Sequence, residues 1–217
     1  AEFLWTNMWA ESGCLLRIYN DGENKINGFL EDYAYFLEGM ISLYEASLDI
    51  LWIERAKHLA DKMIDEFYDD KEGGFFITGL SSESLIVRLK NAADEAIPSA
   101  NAIAIQSLLK LGHLTGNKNY LATAEKSVHS FKRRIEKNPV AYSGLLAGAD
   151  FMVSSLTEVI FAGPRKDPTF EDMQDALHQD YCPNKIIIWN ENEKASQQLP
   201  LANGKSVVNG TPAVYLC

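Results

Sequence analysis

The chain contains an internal repeat of 68 residues, and this repeat constrains its fold more than any other feature. When the sequence is shifted by 68 positions, residues 37–67 fall on residues 105–135, and apolar positions fall on apolar positions. Leu37 falls on Ile105 and Phe67 falls on Ile135. Repeats of this length are typical of helical hairpins that stack side by side, because one hairpin cannot bury its apolar face alone.

The two predicted helices of each repeat differ in how their apolar residues are distributed. The first, over 29–45 and again over 99–114, is apolar around most of its circumference, which predicts burial on nearly every side. The second, over 52–68 and again over 119–137, has one apolar stripe and one charged face, as a surface helix does. A further apolar helix is predicted over 140–153. Inner helices that alternate with outer helices indicate an α/α toroid or solenoid.

The sequence pattern changes after residue 156. Residues 158–162 and 185–189 are short runs typical of strands, and residues 170–179 between them have the pattern of a helix. Two strands joined through a helix are expected to lie side by side and parallel. We therefore expect residues 1–156 to form the toroid part and residues 157–217 to form a small α/β appendage with a C-terminal tail.

Composition argues against several kinds of partner. The chain has 20 Lys and Arg against 30 Asp and Glu, a formal net charge of −10. Neither nucleic acid nor an anionic membrane surface is therefore an expected partner. The three widely spaced cysteines, Cys14, Cys182 and Cys217, suggest reduced thiols and a cytoplasmic location. The four histidines share no metal-ligand spacing, so the sequence predicts no metal and indicates no cofactor.

Several short motifs resemble one known family. They are Gly28–Ala34 (GFLEDYA), Gly73–Phe76 (GGFF), Ile97–Asn101 (IPSAN) and the tail Asn209–Cys217 (NGTPAVYLC). These motifs follow the family's order across nearly the whole chain, which thereby resembles the C-terminal region of the YyaL and spermatogenesis-associated protein 20 family. One departure is Ala100, which stands where the family usually has the Gly of Pro-Ser-Gly-Asn.

The resemblance implies a fold and a missing neighbour. Members of the family carry a thioredoxin-like domain followed by a six-hairpin toroid related to N-acylglucosamine 2-epimerases. We therefore expect a mainly α chain, a partial α/α toroid of helical hairpins (six-hairpin glycosidase-like) with a small α/β C-terminal appendage. Six 68-residue units would need roughly 400 residues, so we also expect a fragment whose thioredoxin-like domain is its missing partner in cis.

Polar residues gather at the predicted starts of the inner helices, where the ligand cleft of a toroid would form. Paired carboxylates can act as general acid and base on a sugar, or bind its hydroxyls, which makes catalytic candidates of Asp32, Glu31 and Glu95. The candidate substrate-binding residues are Tyr33, Ser99, Asn101, Phe75 and Arg17. The alternative is structural, because acids at a helix start also cap the helix and favour its dipole.

Two functions stay open on this sequence. One is a carbohydrate-active domain, 2-epimerase-like or glycosidase-like, that binds or processes a sugar-like small molecule. The other is a non-catalytic binding or scaffold module attached to a thioredoxin-like redox domain. Convergent carboxylates favour the first, whereas the lack of a histidine near any inner-helix start favours the second.

One loop has the position, but not the signature, of a phosphate-binding loop. Gly163-Pro164-Arg165-Lys166 follows a predicted strand and precedes a predicted helix, as a phosphate loop does. It lacks the glycine-rich spacing of the common phosphate motifs. The sequence therefore favours an ordinary connection here.

Overall fold

A computed structural model describes residues 1–21, 23–83, 86–179, 181–191 and 193–217. Its helices are α1 Glu2–Asn7, α2 Leu30–Ser47, α3 Ile50–Phe67, α4 Ala100–Thr115, α5 Lys118–Lys137, α6 Ser143–Val153, α7 Pro168–Gln179 and α8 Glu193–Gln198. Its strands are β1 Leu16–Asn20, β2 Glu23–Asn27, β3 Thr157–Ala162, β4 Lys185–Asn190 and β5 Ala213–Leu216. Short 3-10 helices lie at Pro139–Tyr142 and Pro200–Ala202. The fold is mainly α, as predicted.

The helices form two layers around α4. Helices α2, α4 and α6 lie side by side with α4 in the middle, while α3 packs on α2 and α5 packs on α4. Of the 16 residues of α4, 11 are buried, against 5 of 20 in α5. The expected contrast between inner and outer helices therefore holds for this hairpin.

The contrast is weaker in the first hairpin. Helix α2 buries 7 of its 18 residues and α3 buries 6 of 18, because one face of α2 lines a cavity that is described below. The arrangement of neighbouring hairpins agrees with part of a toroid. The closed toroid itself stays a prediction.

The 68-residue repeat extends through the turns that join the helices. Leu48 directly follows α2 and Gly116 directly follows α4, and both lie in the left-handed backbone region. The next residues, Asp49 and Asn117, are 68 positions apart, and each side chain accepts a hydrogen bond from the second backbone N–H that follows it. Such side-chain caps satisfy a free N–H at a helix start, so the two hairpins turn by the same chemistry.

The C-terminal segment contains the predicted strand–helix–strand unit. Strands β3 and β4 are adjacent and parallel, and β5 is antiparallel to β3 on its other side. Ile160, Ile186 and Ile188 pack into the main helical core, whereas Val159 and Ile187 face α7. This alternation follows from the two-residue period of a strand. The predicted boundary near residue 156 thus runs across one continuous core, and the division into two domains stays a prediction.

A glycine pair shapes the loop between the two hairpins. Gly73 and Gly74 both have a positive φ, at 76° and 75°. A Cβ on Gly73 would lie 2.7 Å from the backbone oxygen of Lys126 on α5. The loop therefore needs glycine both for its backbone conformation and for its close approach to α5.

We expect Gly73→Ala to lower the free energy of unfolding by about 1–3 kcal/mol, because it adds backbone strain and a steric clash. The matched control is Gly39→Ala, at an exposed position of α2 with no atom within 4 Å of the added carbon. The control should stabilise the chain by roughly 0.5–1 kcal/mol, because alanine is the better helix former. Urea unfolding of both variants tests this, and shifts of the same sign would contradict it.

Candidate functional site

The start of α2 carries a cluster of three charged side chains. Arg17, on β1, places its guanidinium 2.6 Å from the carboxylate of Glu31 and 3.1 Å from that of Asp32. The same guanidinium lies over the ring of Phe29 at 5.0 Å. Three of the candidate site residues, Arg17, Glu31 and Asp32, are therefore brought together.

Asp32 has a structural task as well as a place in this cluster. Its carboxylate accepts a hydrogen bond of 2.8 Å from the backbone N–H of Phe29, the residue that precedes the helix. Burial raises the pKa of Asp32 above its ordinary value, and the Phe29 hydrogen bond and the charge of Arg17 offset this only in part. The capping role that we weighed as an alternative is thus present, beside the contact with Arg17.

A cavity of about 730 Å³ opens beside this cluster. Arg17, Glu31 and Asp32 form one part of its lining, and Tyr35 adds a hydroxyl group. The rest of the lining is mostly apolar and includes Leu4, Met8, Leu16, Phe36, Leu43 and Ile97. We call this the rim cavity. Its volume lies within the range of small-molecule sites, roughly 300–1,000 Å³.

A smaller cavity of about 160 Å³ adjoins the rim cavity. Glu31, Tyr35 and Ile97 line both cavities, and Glu95 lines the smaller one. The hydroxyl of Tyr35 donates a 2.7 Å hydrogen bond to the carbonyl of Pro98. Glu95 therefore shares a cavity with Glu31, but not with Arg17 or Asp32.

The two predicted aromatic ligand contacts are buried in the core. Tyr33 is 1% exposed and Phe75 is 0% exposed. The hydroxyl of Tyr33 accepts a 2.7 Å hydrogen bond from the backbone N–H of Leu15, and its ring packs edge to face on Phe67. Burial raises the pKa of Tyr33 well above its ordinary value. Neither ring is accessible for stacking on a sugar.

Asn101 joins the loop that contains Gly73 and Gly74, which we call the glycine loop, to the start of α4. Its side-chain oxygen accepts from the backbone N–H of Phe75 at 2.8 Å, and its amide donates to the carbonyls of Phe75 at 2.9 Å and Asn91 at 2.8 Å. With an exposure of 0%, this side chain acts as a buried clamp between two loops. The predicted ligand role therefore gives way to a structural one.

Ser99 caps α4 rather than pointing into the rim cavity. Its hydroxyl accepts from the backbone N–H of Ala102 at 3.2 Å and donates to the carbonyl of Ala92 at 2.9 Å. It borders the smaller cavity. A shift of 68 residues places Glu31 on Ser99, but Ser99 precedes its helix whereas Glu31 is the second residue of α2. The two helices end at equivalent positions of the repeat, but α2, with 18 residues, begins two positions earlier than α4, which has 16.

Asp94 has a structural role that was not predicted from the sequence. Its carboxylate accepts from the backbone N–H of Ser99 at 2.8 Å and from that of Gly144 at 2.7 Å. It therefore links the starts of α4 and α6. The sequence signal was an acidic residue close to a predicted helix start, where the helix dipole favours negative charge.

Comparison with known proteins identifies relatives over most of the chain. Human spermatogenesis-associated protein 20 is 30% identical over 194 residues, which cover 88% of this chain and 25% of the human protein. The rat protein of the same name is 31% identical over 193 residues, 87% of this chain and 24% of that protein. An uncharacterised protein of Caenorhabditis elegans is 22% identical over 196 residues.

The chain matches one segment of each of these longer relatives. The chain spans about a quarter of the length of the mammalian proteins. No protein-family model matches it. Within the described residues, no helix has the length and apolar character needed to cross a membrane.

We expect Asn101→Ala to destabilise the chain by about 2–5 kcal/mol, because it leaves buried groups of the glycine loop without partners, at about 1–3 kcal/mol each. Guanidinium unfolding measures the loss. Ser107→Ala is the control, since it removes another buried polar side chain of α4 that lies away from the loop. Losses of equal size in the two variants would contradict the clamp.

Proposed function

We propose that this chain, a relative of the spermatogenesis-associated protein 20 family, binds a sugar-like small molecule in the rim cavity. The observation that carries the proposal is the placement of the Arg17, Glu31 and Asp32 cluster at one side of a cavity with mostly apolar walls. A sugar has hydroxyl groups at its edge and apolar C–H groups on its faces. Such a cavity offers both kinds of surface.

Each side chain of the cluster has a distinct task in this proposal. The carboxylates of Glu31 and Asp32 accept hydrogen bonds from ligand hydroxyls, and Arg17 holds both carboxylates in place. The side chain of Glu31 is 46% exposed and that of Asp32 is 23% exposed, so Glu31 is the more available acceptor. Hydrogen bonds to charged groups contribute more than neutral ones, which suits recognition of a neutral, hydroxyl-rich ligand.

The geometry supports binding better than catalysis by Glu31 and Asp32 together. A glycosidase places its two carboxyl groups on opposite sides of the bond that is cut. Glu31 and Asp32 are neighbours in sequence and share one arginine. Both therefore approach a ligand from the same side.

A second candidate function is the processing of the bound sugar by Glu31 and Glu95. This pair is favoured because both residues line the smaller cavity, while Glu31 also lines the rim cavity. A ligand that extends from one cavity into the other would contact a carboxylate in each. Turnover that is lost in Glu95→Gln, with sugar binding retained, would support this function, and unchanged turnover would contradict it.

The role of the whole protein is a wider proposal. We keep the toroid related to sugar epimerases and glycosidases, with a thioredoxin-like domain in cis, as the setting of this segment. A cytoplasm-like, reducing compartment fits the three free cysteines. In that setting the segment would present a bound sugar-like molecule, or serve as a scaffold if it binds none.

We expect at least one of N-acetylglucosamine, N-acetylmannosamine and glucose to bind the chain, as measured by isothermal titration calorimetry. Glu31→Gln should weaken that binding roughly tenfold or more, because it removes a charged hydrogen-bond acceptor. Arg17→Gln should weaken it too, because the carboxylates lose the group that holds them.

The control variant is Glu136→Gln, which removes a carboxylate that is paired with Lys132 on the surface of α5. It should leave sugar affinity unchanged. If none of the three sugars binds, or if the control weakens binding as much as Glu31→Gln, the proposal is wrong. The scaffold function would then be favoured.

A further inference from the structure

A second large cavity lies away from the rim cavity, at the carboxyl ends of β3 and β4. It has a volume of about 1,310 Å³. Its lining includes Ala162 and Gly163 at the end of β3, and Trp189 and Asn190 at the end of β4. We call it the edge cleft. In open α/β sheets, ligands bind outside the carboxyl ends of parallel strands, which is where this cleft lies.

Local contacts hold the two strand ends beside the cleft. The indole N–H of Trp189 donates to the carbonyl of Gly163 at 3.0 Å. The side chain of Asn190 donates to the carbonyls of Ala202 and Lys205, and its oxygen accepts from Ser196 at 2.9 Å. The walls of the edge cleft are therefore joined by side-chain hydrogen bonds.

Three cations line the edge cleft of a chain whose net charge is −10. They are Arg165, Lys166 and Lys205. Within the part of the chain that the structure describes, none of them forms an ion pair with a carboxylate. Arg165 donates to the carbonyl of Ser47, while Lys205 lies over the ring of Tyr215 and donates to the Sγ atom of Cys217 at 3.6 Å, so that among the described residues all three keep their charge uncompensated. The cations are thus available to a ligand anion.

A second cavity of about 290 Å³ shares Arg165, Trp189 and Glu191 with the edge cleft. Tyr44 of α2 lines this second cavity and is 1% exposed. Among the described residues its hydroxyl has no hydrogen-bond partner. Burial raises the pKa of Tyr44, and the nearby backbone of Trp189 only moderates this effect. A buried hydroxyl without a partner is costly, so it is a group that a ligand can satisfy.

We propose that the edge cleft binds a small phosphate-bearing molecule. The phosphate lies among Arg165, Lys166 and Lys205, and the remainder of the molecule extends past Trp189 towards the hydroxyl of Tyr44. This site is separate from the rim cavity and does not depend on the function proposed there.

Phosphate is the anion that the lining favours. The loop 163–167 joins the end of β3 to the start of α7, a position at which phosphate groups bind in α/β folds. Glu171 and Glu191 also line the cleft. Their negative charges weaken the binding of a simple anion such as inorganic phosphate. Their carboxylates can instead accept hydrogen bonds from hydroxyls on a phosphate ester, so an ester should bind more tightly than inorganic phosphate.

The test is titration of the 217-residue chain with inorganic phosphate and with glycerol 3-phosphate, followed by backbone amide NMR shifts at matched ionic strength. We expect both probes to shift the amide signals of Gly163, Arg165, Lys166 and residues 189–191, with tighter binding of the ester. Lys166→Gln combined with Lys205→Gln should weaken the ester roughly tenfold or more, because two charge-assisted contacts are lost.

The matched control combines Lys132→Gln with Lys137→Gln, which removes the same charge from exposed positions near the C-terminal end of α5. It should leave the affinity within about twofold, since exposed charges beyond a Debye length, about 8–10 Å, are screened. The proposal is overturned if neither probe binds or if the shifts lie elsewhere. It is also overturned if the control weakens binding as much as the cleft variant, because binding would then follow net charge alone.

Tyr44→Phe tests the reach of the ligand into the second cavity. We expect it to weaken glycerol 3-phosphate by roughly three- to tenfold, since a ligand hydrogen bond is lost. The free chain should keep its stability, because among the described residues the hydroxyl has no hydrogen-bond partner to lose. Tyr35→Phe, at the rim cavity, is the control and should leave the ester affinity unchanged. An unchanged affinity in Tyr44→Phe would overturn this part of the proposal.

Discussion

The burial of α4 is the constraint on which the rest of the structure depends. This helix is apolar on nearly all sides, so it is stable only when other elements cover every face. Helices α2, α5 and α6 pack around it, and Ile186 and Ile188 of β4 join the same core. Because the sheet shares this core, the edge cleft has a defined position relative to the helices.

The elements that could be predicted from the sequence are those that depend on local periodicity. The helices of both hairpins lie within two residues of their predicted ends, because their apolar spacing extends over four or more turns. The parallel pairing of β3 and β4 was also predictable, since a helix between two strands leaves room for a crossover but not for a tight hairpin. Strand β2 was missed, because Glu23–Asn27 is mostly polar and carries no strand pattern.

The candidate site was harder to predict, because its residues are joined across long separations in sequence. Arg17 reaches the start of α2 through a hairpin whose second strand left no signal, and Asp94 reaches Gly144 on another helix. Tyr33 and Asn101 are polar residues at helix starts, which is the pattern of a site, yet their polar atoms serve the backbone. Sequence alone does not distinguish a polar atom that faces a ligand from one that satisfies a buried loop.

The charges at both ends of α2 complement its dipole. Glu31 and Asp32 lie in the first turn, where negative charge is favoured, and Arg165 donates to the carbonyl of Ser47 in the last turn, where positive charge is favoured. The helix has 18 residues and is therefore about 27 Å long. This length is several times the Debye length of about 8 Å at physiological ionic strength. A charge that is removed in the rim cavity thus has little direct effect on an anion in the edge cleft, and each site can be tested without disturbing the other.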